Sequence, residues 1–255
     1  MATWQEINQK RKPFIRMGER LFKGMYNEIR RSFITEILKA ERPEEIERVI
    51  EGFRFDVDMR TTFERFYTKV TPAFAADTVK RYKSGKGPTT FKDEDLWLEK
   101  VLEFVRVHSG AKITSIIRSH YDDIERIAKL AVETGIDKGW GMDQIARMIS
   151  KEQGLIDNWK ALRIARTETV AASNYGVELG AEDLPGNKQK VWISSFTVTS
   201  REDHMAMDGV QEDLKRPFIL PDGTELRFPG DPTGPPEQII NCRCGYEVII
   251  TDEIF

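Results

Sequence analysis

The chain has 255 residues, of which 40% are apolar and 32% charged, so it is long enough to bury a substantial core and polar enough to be soluble. It has no apolar run of about 18 residues and no basic start followed by an apolar stretch, which argues against a membrane-spanning helix and a secretory signal. Two cysteines do not make a disulfide framework, and we expect a protein made and kept in a reducing cytosol.

The first third of the chain predicts helices. Pro13 suits the first turn of a helix, and apolar residues recur at helical spacing after it. A shorter helix fits residues 44–53, and a longer one fits residues 59–82 with Pro72 as a kink.

A linker and a change of charge mark the first predicted boundary. Residues 83–90 read KSGKGPTT, with the glycine, proline and small polar content of a linker. Residues 1–90 carry 19 basic and 13 acidic side chains, whereas residues 181–255 carry 7 and 14. We therefore predict an N-terminal helical region over residues 1–85.

Helical patterns continue through a second region. Apolar positions predict two amphipathic segments over residues 97–131, an interruption at 139–141, and then a short helix and a long one. Leu155 and Trp159 fall on the apolar stripe of the long helix, which we assign to the core of a bundle. We therefore expect a helical body over residues 91–180.

The periodicity changes near residue 184. Residues 190–198 are rich in β-branched and aromatic side chains, residues 218–220 and 225–228 flank a PDGT turn, and residues 246–251 read as a closing strand. The predicted fold class is therefore α+β, with a mainly helical body and a small β-rich C-terminal module at residues 181–255.

Reactive and turn-forming residues concentrate toward the C-terminus. Both cysteines lie in the tetrapeptide NCRC, and one of the three histidines precedes the first of them by 38 residues. The motifs appear in the order ARTE at 165–168, NYG at 174–176, Trp192, Arg201 with His204, Asp208 with Gly209, PGDP at 229–232, and NCRC at 241–244.

This order of motifs resembles the phage head morphogenesis family, the Mu F-like minor head proteins of tailed bacteriophages. The resemblance covers residues 139–250, and NCRC after PGDP is its most specific part. Members often have an Asp and an Arg just ahead of the Arg and His, where this chain has residues 197–200, TVTS.

The resemblance implies a structural protein of the virion, not an enzyme. Such a protein is made in the bacterial host cytoplasm and lies inside the phage head near the portal vertex. The implied partners are the portal protein, a major capsid or scaffolding protein, and packaged double-stranded DNA, with no membrane. The implied function is to aid head morphogenesis and genome packaging or ejection.

The basic N-terminal region is the candidate for contact with the portal or with DNA. A cluster of positive side chains attracts the phosphate backbone. The alternative is a set of solvated helix faces, which the interleaved acidic residues favour. The candidate residues are Lys10, Arg11, Lys12, Arg16, Arg20, Arg30 and Arg31.

The terminal motifs also predict a candidate structural zinc site. His204, Cys242 and Cys244 supply the nitrogen and sulfur ligands that zinc accepts. In an extended strand the two cysteines would lie about 6.6 Å apart along the chain, so joint binding requires a bend. The candidates for a fourth ligand are Asp203, Asp208 and Asp231.

Three alternatives to zinc remain open. In the first, the thiols are simply packed in the interior, while Arg243 makes a charged hydrogen bond and Asn241 fixes a turn. A metal-dependent nuclease would use His204 with Asp203 and, later in the chain, Asn241. A cysteine hydrolase would pair His204 with Cys242 and orient it through Asn241. Because the acidic module disfavours a polyanion, the non-enzymatic interpretation is preferred.

The other motif residues have structural explanations. Arg166 and Glu168 are predicted to pair with groups of the C-terminal module and to orient it. Glycine at a turn adopts conformations closed to other residues. The complete set of predicted structural residues is Arg166, Glu168, Arg201, Asp208, Gly209, Gly230, Asp231, Asn241 and Arg243.

Overall fold

The computed structural model describes residues 2–53, 59–83 and 94–251. Over this part the chain is mostly helical with short C-terminal strands, which confirms the predicted α+β class. None of the described helices has both the length and the apolarity that crossing a membrane requires. The elements are α1 (Trp4–Ile37), a 3-10 turn (Pro43–Glu45), α2 (Ile46–Gly52), α3 (Met59–Lys83), α4 (Glu94–Lys138), α5 (Met142–Glu182), β1 (Lys188–Ile193), α6 (Glu202–Ala206), β2 (Gln211–Asp213), β3 (Phe218–Ile219), β4 (Glu225–Leu226), α7 (Pro236–Ile239) and β5 (Gly245–Ile250).

Two compact units divide the chain, and each combines stretches that are distant in sequence. Unit 1 contains Met1–Gly18, Phe63–His108 and Arg163–Phe255, and unit 2 contains Glu19–Thr62 and Ser109–Leu162. The sequence-based boundaries, in contrast, divided the chain consecutively. The predicted KSGKGPTT linker lies, from its second residue onward, outside the described residues.

Helix α1 begins at Trp4, so Pro13 lies inside the helix and not at its start. Proline removes one helical hydrogen bond, but the residues before it are held by tertiary contacts. Trp4 Nε1 donates a 3.0 Å hydrogen bond to the carbonyl of Arg243. Ile7 is buried as well. These contacts with the C-terminal module extend the helix beyond the start that local pattern predicts.

Helices α4 and α5 are each continuous, although each was predicted as two segments. The interruption between them is confirmed. Gly139 has a φ of +63°, a conformation that favours glycine, and it follows the last residue of α4. Trp140 N donates a 2.8 Å hydrogen bond to the carbonyl of Gly135, which closes the helix end.

The assignment of Leu155 and Trp159 to the core is wrong, because these side chains are 61% and 58% exposed. Polar residues of α5 occupy the interior of unit 2 instead: Gln153, Asp157 and Lys160 are buried. Asp157 accepts hydrogen bonds from Gln153 Nε2 and from Nη1 of Arg30 on α1, each 2.8 Å long. The apolar stripe therefore marked the wrong face of this helix segment.

The C-terminal strands form two small antiparallel sheets. The order of the first is β2-β1-β5, with Trp192 opposite Tyr246, and the second is the β3-β4 hairpin. Trp192 is fully buried at the centre of the first sheet. Strands are present at all four positions predicted from sequence, but the first ends at Ile193 and not at residue 198. Strand β2 was missed, because its three polar residues, QED, carry no strand pattern.

Two glycines let α5 pack against the backbone of α3 in unit 1. A Cβ atom built at Gly176 would collide with the carbonyl oxygen of Thr71, and one at Gly180 would lie 2.5 Å from that of Ala75. These positions are four residues apart and therefore share one helix face. Helix α5 thus holds its C-terminal half, which carries the NYG motif, directly against α3.

The close approach of α5 and α3 predicts that Gly180→Ala is destabilising. The added methyl group meets backbone that must shift, so the free energy of unfolding should fall by about 1–3 kcal/mol, measured by urea denaturation. The control is Gly110→Ala in α4, where a Cβ atom meets nothing within 4 Å. This control should leave stability unchanged or raise it by up to about 1 kcal/mol. Equal effects of the two substitutions would contradict the close packing.

Candidate functional site

Three side chains converge in the interior of the C-terminal module. His204 of α6, Cys242 and Cys244 are each at most 2% exposed, and both cysteines are free thiols. Each Sγ atom lies 3.6 Å from Nδ1 of His204. All three potential ligand atoms lie within 4.8 Å of one another. The structure therefore brings together the residues that the sequence analysis grouped, and we call them the His–Cys–Cys cluster.

A left-handed turn bends the backbone so that both cysteines reach the same point. Asn241 has a φ of +57°, which asparagine tolerates better than most residues. Its backbone N donates a 3.0 Å hydrogen bond to Oγ1 of Thr167 on α5. Arg201 Nη2 donates to the carbonyl of Ile240 at 2.7 Å. The turn is thus anchored on both sides, and it supplies the bend that an extended strand lacks.

A chain of hydrogen bonds fixes the ring of His204. Its Nε2 lies 3.0 Å from Oε1 of Gln238, whose Nε2 donates to Asp222 and Asp203 at 2.7 and 3.1 Å. Because carboxylates only accept, the amide nitrogen must face them and the amide oxygen must face the ring. His204 Nε2 then carries the proton, and the lone pair of Nδ1 points toward the two sulfurs.

Arg11 of α1 lies beneath the cysteine turn and is only 2% exposed. Its Nη1 donates to the carbonyls of Arg243 and Cys244, each at 3.1 Å. Its Nε donates to Ser173 Oγ at 2.8 Å, and Nη2 donates to Asn174 Oδ1 at 2.6 Å. Arg11 therefore cannot contact DNA, which corrects its assignment to a nucleic-acid surface.

Asn174 connects three of the sequence motifs. Its Nδ2 donates to the carbonyl of Pro229 at 2.6 Å and to that of Cys244 at 3.3 Å. Tyr246 Oη donates to its backbone carbonyl at 3.2 Å. The motifs NYG, PGDP and NCRC, distant in sequence, thus meet in one buried network that also contains Arg11.

Comparison with protein families agrees with this convergence. Residues 126–247 match the family model described as Phage Mu protein F like protein, and this range contains every motif from ARTE to NCRC. Over this region the chain is similar to the Mu F-like family of phage head morphogenesis proteins. No curated protein and no solved structure matches the chain.

The PGDP segment of this Mu F-like protein forms a tight turn. Gly230 has a φ of +77°, and a Cβ atom there would lie 3.0 Å from Val170. Asp231 is fully buried and accepts hydrogen bonds from Arg227 and from the backbone N of Thr233. These hydrogen bonds oppose the effect of burial and hold the pKa of Asp231 below its usual value.

The three aspartates considered as a fourth zinc ligand are bound elsewhere. Asp203 accepts from Gln238, Asp208 accepts from the backbone N of Ser194 at 2.7 Å, and Asp231 pairs with Arg227. Within residues 2–53, 59–83 and 94–251, no carboxylate joins the His–Cys–Cys cluster. The structure therefore does not support these fourth-ligand assignments.

The ARTE motif contributes to the helical part of the Mu F-like protein. Tyr67 Oη of α3, outside the C-terminal module, donates a 2.6 Å hydrogen bond to the buried Glu168. Arg166 is half-buried. Thr167 of the same motif accepts a hydrogen bond from the backbone N of Asn241 in the NCRC turn, a contact that the sequence analysis missed.

The remaining basic candidates differ in whether their side chains are available for contact with DNA. Lys10 pairs with Asp77 at 2.7 Å, and Arg30 pairs with the buried Asp157 at 2.8 Å. Four of the seven candidates are exposed and are absent from the ion pairs of the described residues: Lys12, Arg16, Arg20 and Arg31.

The His–Cys–Cys cluster of the Mu F-like protein is suited to a structural role. The Cys242 thiol lowers the pKa of Cys244 to about 4, while the same contact and burial raise the pKa of Cys242. A thiolate is the reactive form of cysteine, but a nucleophile also needs access to its substrate. The burial of all three side chains disfavours both the nuclease and the hydrolase interpretations.

Gln238 and Asp222 were not recognised from sequence. They lie 34 and 18 positions from His204, in segments that otherwise read as turns. A glutamine that accepts a hydrogen bond from a histidine and donates hydrogen bonds to two carboxylates has no characteristic spacing in the sequence. Only the fold brings these residues together.

Proposed function

We propose that this Mu F-like protein is a minor head protein that binds at or near the portal inside the procapsid. There it aids head morphogenesis and genome packaging or ejection. The observation that carries this proposal is the meeting of NYG, PGDP and NCRC in a single buried network. These motifs form part of the protein interior, which is expected of a structural component of the head and not of an active site that must admit substrate.

The enzymatic alternative requires groups that are accessible to a polymer. His204 is 1% exposed, and the acceptors around it include Asp203 and Asp222. These carboxylates would repel a phosphate backbone. Burial and charge therefore both favour the structural role.

The exposed basic residues of α1 support a contact with DNA. Lys12 and Arg16 belong to unit 1 and are both exposed. Neutralising phosphates with such side chains releases counterions, which makes binding strongly dependent on salt. We therefore assign these two positions to the surface that meets packaged DNA.

The DNA contact predicts a specific loss of affinity in Lys12→Gln/Arg16→Gln. The double variant should bind double-stranded DNA more weakly, and the slope of log K against log salt should fall in magnitude by about 2, because two phosphate contacts are lost. Fluorescence anisotropy at several salt concentrations measures both quantities.

The matched control is Lys215→Gln/Arg216→Gln, which removes the same charge from two exposed positions of unit 1. This control should retain the wild-type slope. If both variants lose affinity equally, net charge alone explains binding, and the assignment to α1 is wrong.

The portal assignment predicts the position of the protein in the head. Procapsids assembled with a tagged full-length chain should show the tag at the portal vertex in asymmetric cryo-electron microscopy reconstructions, and the chain should copurify with the portal protein of the same phage. Procapsids lacking the portal provide the control and should contain little of the chain. A distribution over the whole shell, or unchanged incorporation without the portal, would contradict the proposal.

A further inference from the structure

We propose that Nδ1 of His204 and the Sγ atoms of Cys242 and Cys244 bind one zinc ion that stabilises the C-terminal module. This inference concerns the integrity of the module and does not depend on the portal or on DNA. It rests on the geometry of the His–Cys–Cys cluster, on the hydrogen bonds that orient His204, and on the burial of the site.

The distances in the cluster match tetrahedral coordination of zinc. With Zn–S bonds of about 2.3 Å and a Zn–N bond of about 2.05 Å, tetrahedral angles place the nitrogen about 3.6 Å from each sulfur. Both observed separations are 3.6 Å. The same geometry places the two sulfurs about 3.8 Å apart, and they lie within the 4.8 Å span of the cluster.

Packing of two thiols explains this arrangement less well. Nδ1 of a neutral imidazole has one lone pair, so it accepts one good hydrogen bond. Here two sulfurs lie at the same 3.6 Å distance from this single acceptor. One metal ion placed among the three atoms would satisfy all of them at once.

The hydrogen bonds behind His204 resemble the support of a metal-binding histidine. Such a histidine donates its other ring N–H to a carboxylate, a carbonyl or water, which fixes its tautomer and raises its basicity. In this site Gln238 accepts that hydrogen bond, and Asp203 and Asp222 hold Gln238 in place. Nδ1 is therefore presented as a ligand atom.

The ligand types select the metal. Two cysteine sulfurs and one imidazole suit zinc, whereas magnesium and calcium prefer oxygen ligands. The buried Arg11 guanidinium donates to the carbonyls of Arg243 and Cys244, so it places a positive charge beside the cysteine turn. A positive neighbour of this kind favours the thiolate forms that zinc requires.

The fourth tetrahedral position is assigned to water. The buried Ser194 hydroxyl lies 3.9 Å from Cys244 Sγ, so a polar group is present beside the cluster. Because the side chains of the cluster are at most 2% exposed, a bound ion would be shielded from any substrate, and we assign it a structural role. Short strands of two to six residues bury little apolar surface, and a metal would stabilise such a module.

The first experiment uses the wild-type full-length chain, purified without chelator. Elemental analysis should find about one zinc per chain. Replacement of the zinc by Co²⁺ should give the intense visible absorption of a tetrahedral ion and a thiolate-to-cobalt charge-transfer band. A folded chain that takes up neither Zn²⁺ nor Co²⁺ at micromolar concentrations would overturn the proposal.

The second experiment tests the ligands and their support. Cys242→Ser/Cys244→Ser should lose the bound metal, and retention of the wild-type zinc content in this variant would contradict the assignment. Gln238→Leu keeps all three ligands, so it remains informative if the cysteine variant does not fold. It should weaken zinc binding about 10–100-fold, as judged by competition with a chromophoric chelator.

Gln211→Leu, at an exposed position of β2, is the control for Gln238→Leu and should bind zinc like the wild type. Equal zinc affinity of the Gln238 variant, the Gln211 variant and the wild type would show that Gln238 does not support a metal ligand. It would also contradict the coordination by Nδ1 that we propose.

Discussion

The buried guanidinium of Arg11 is the interaction on which the C-terminal module depends. Removing a charge from water costs several kcal/mol unless its donors are satisfied, and a buried charge usually has an opposite charge beside it. The nitrogens of Arg11 donate to a serine hydroxyl, an asparagine amide and two backbone carbonyls. Burial lowers its pKa to about 10, so it stays charged at neutral pH. The NCRC turn is thus built around a cation.

This arrangement explains why distant motifs belong together. Arg11 and Asn174 both bind the carbonyl of Cys244, so the position of the cysteine turn is set by α1 and α5. Asn174 also holds the PGDP turn through the carbonyl of Pro229. The same turn delivers two sulfurs to His204. The structural role of the Mu F-like region and the proposed zinc site therefore share one framework.

Local patterns in the sequence predicted the elements better than they predicted their contacts. Helical spacing located α3, and the residue types of His204, Cys242 and Cys244 identified a cluster before any geometry was known. The burial of Arg11 was not predictable, because a basic residue on an amphipathic helix reads as solvated. Similarly, polar residues of α5 fill the interior of unit 2 and leave Leu155 and Trp159 on the surface. A pattern of apolar residues alone does not predict this arrangement.

A double-mutant cycle on Arg11 and Asn174 tests the central claim most directly. Urea denaturation would give the free energies of unfolding of Arg11→Met, Asn174→Leu and the double variant. We predict that Arg11→Met alone costs about 3–5 kcal/mol, because it leaves buried acceptors without their donor. The coupling energy of the pair should be about 1–3 kcal/mol. Additive effects within about 0.5 kcal/mol would contradict the account, since contacting residues in one network do not behave independently.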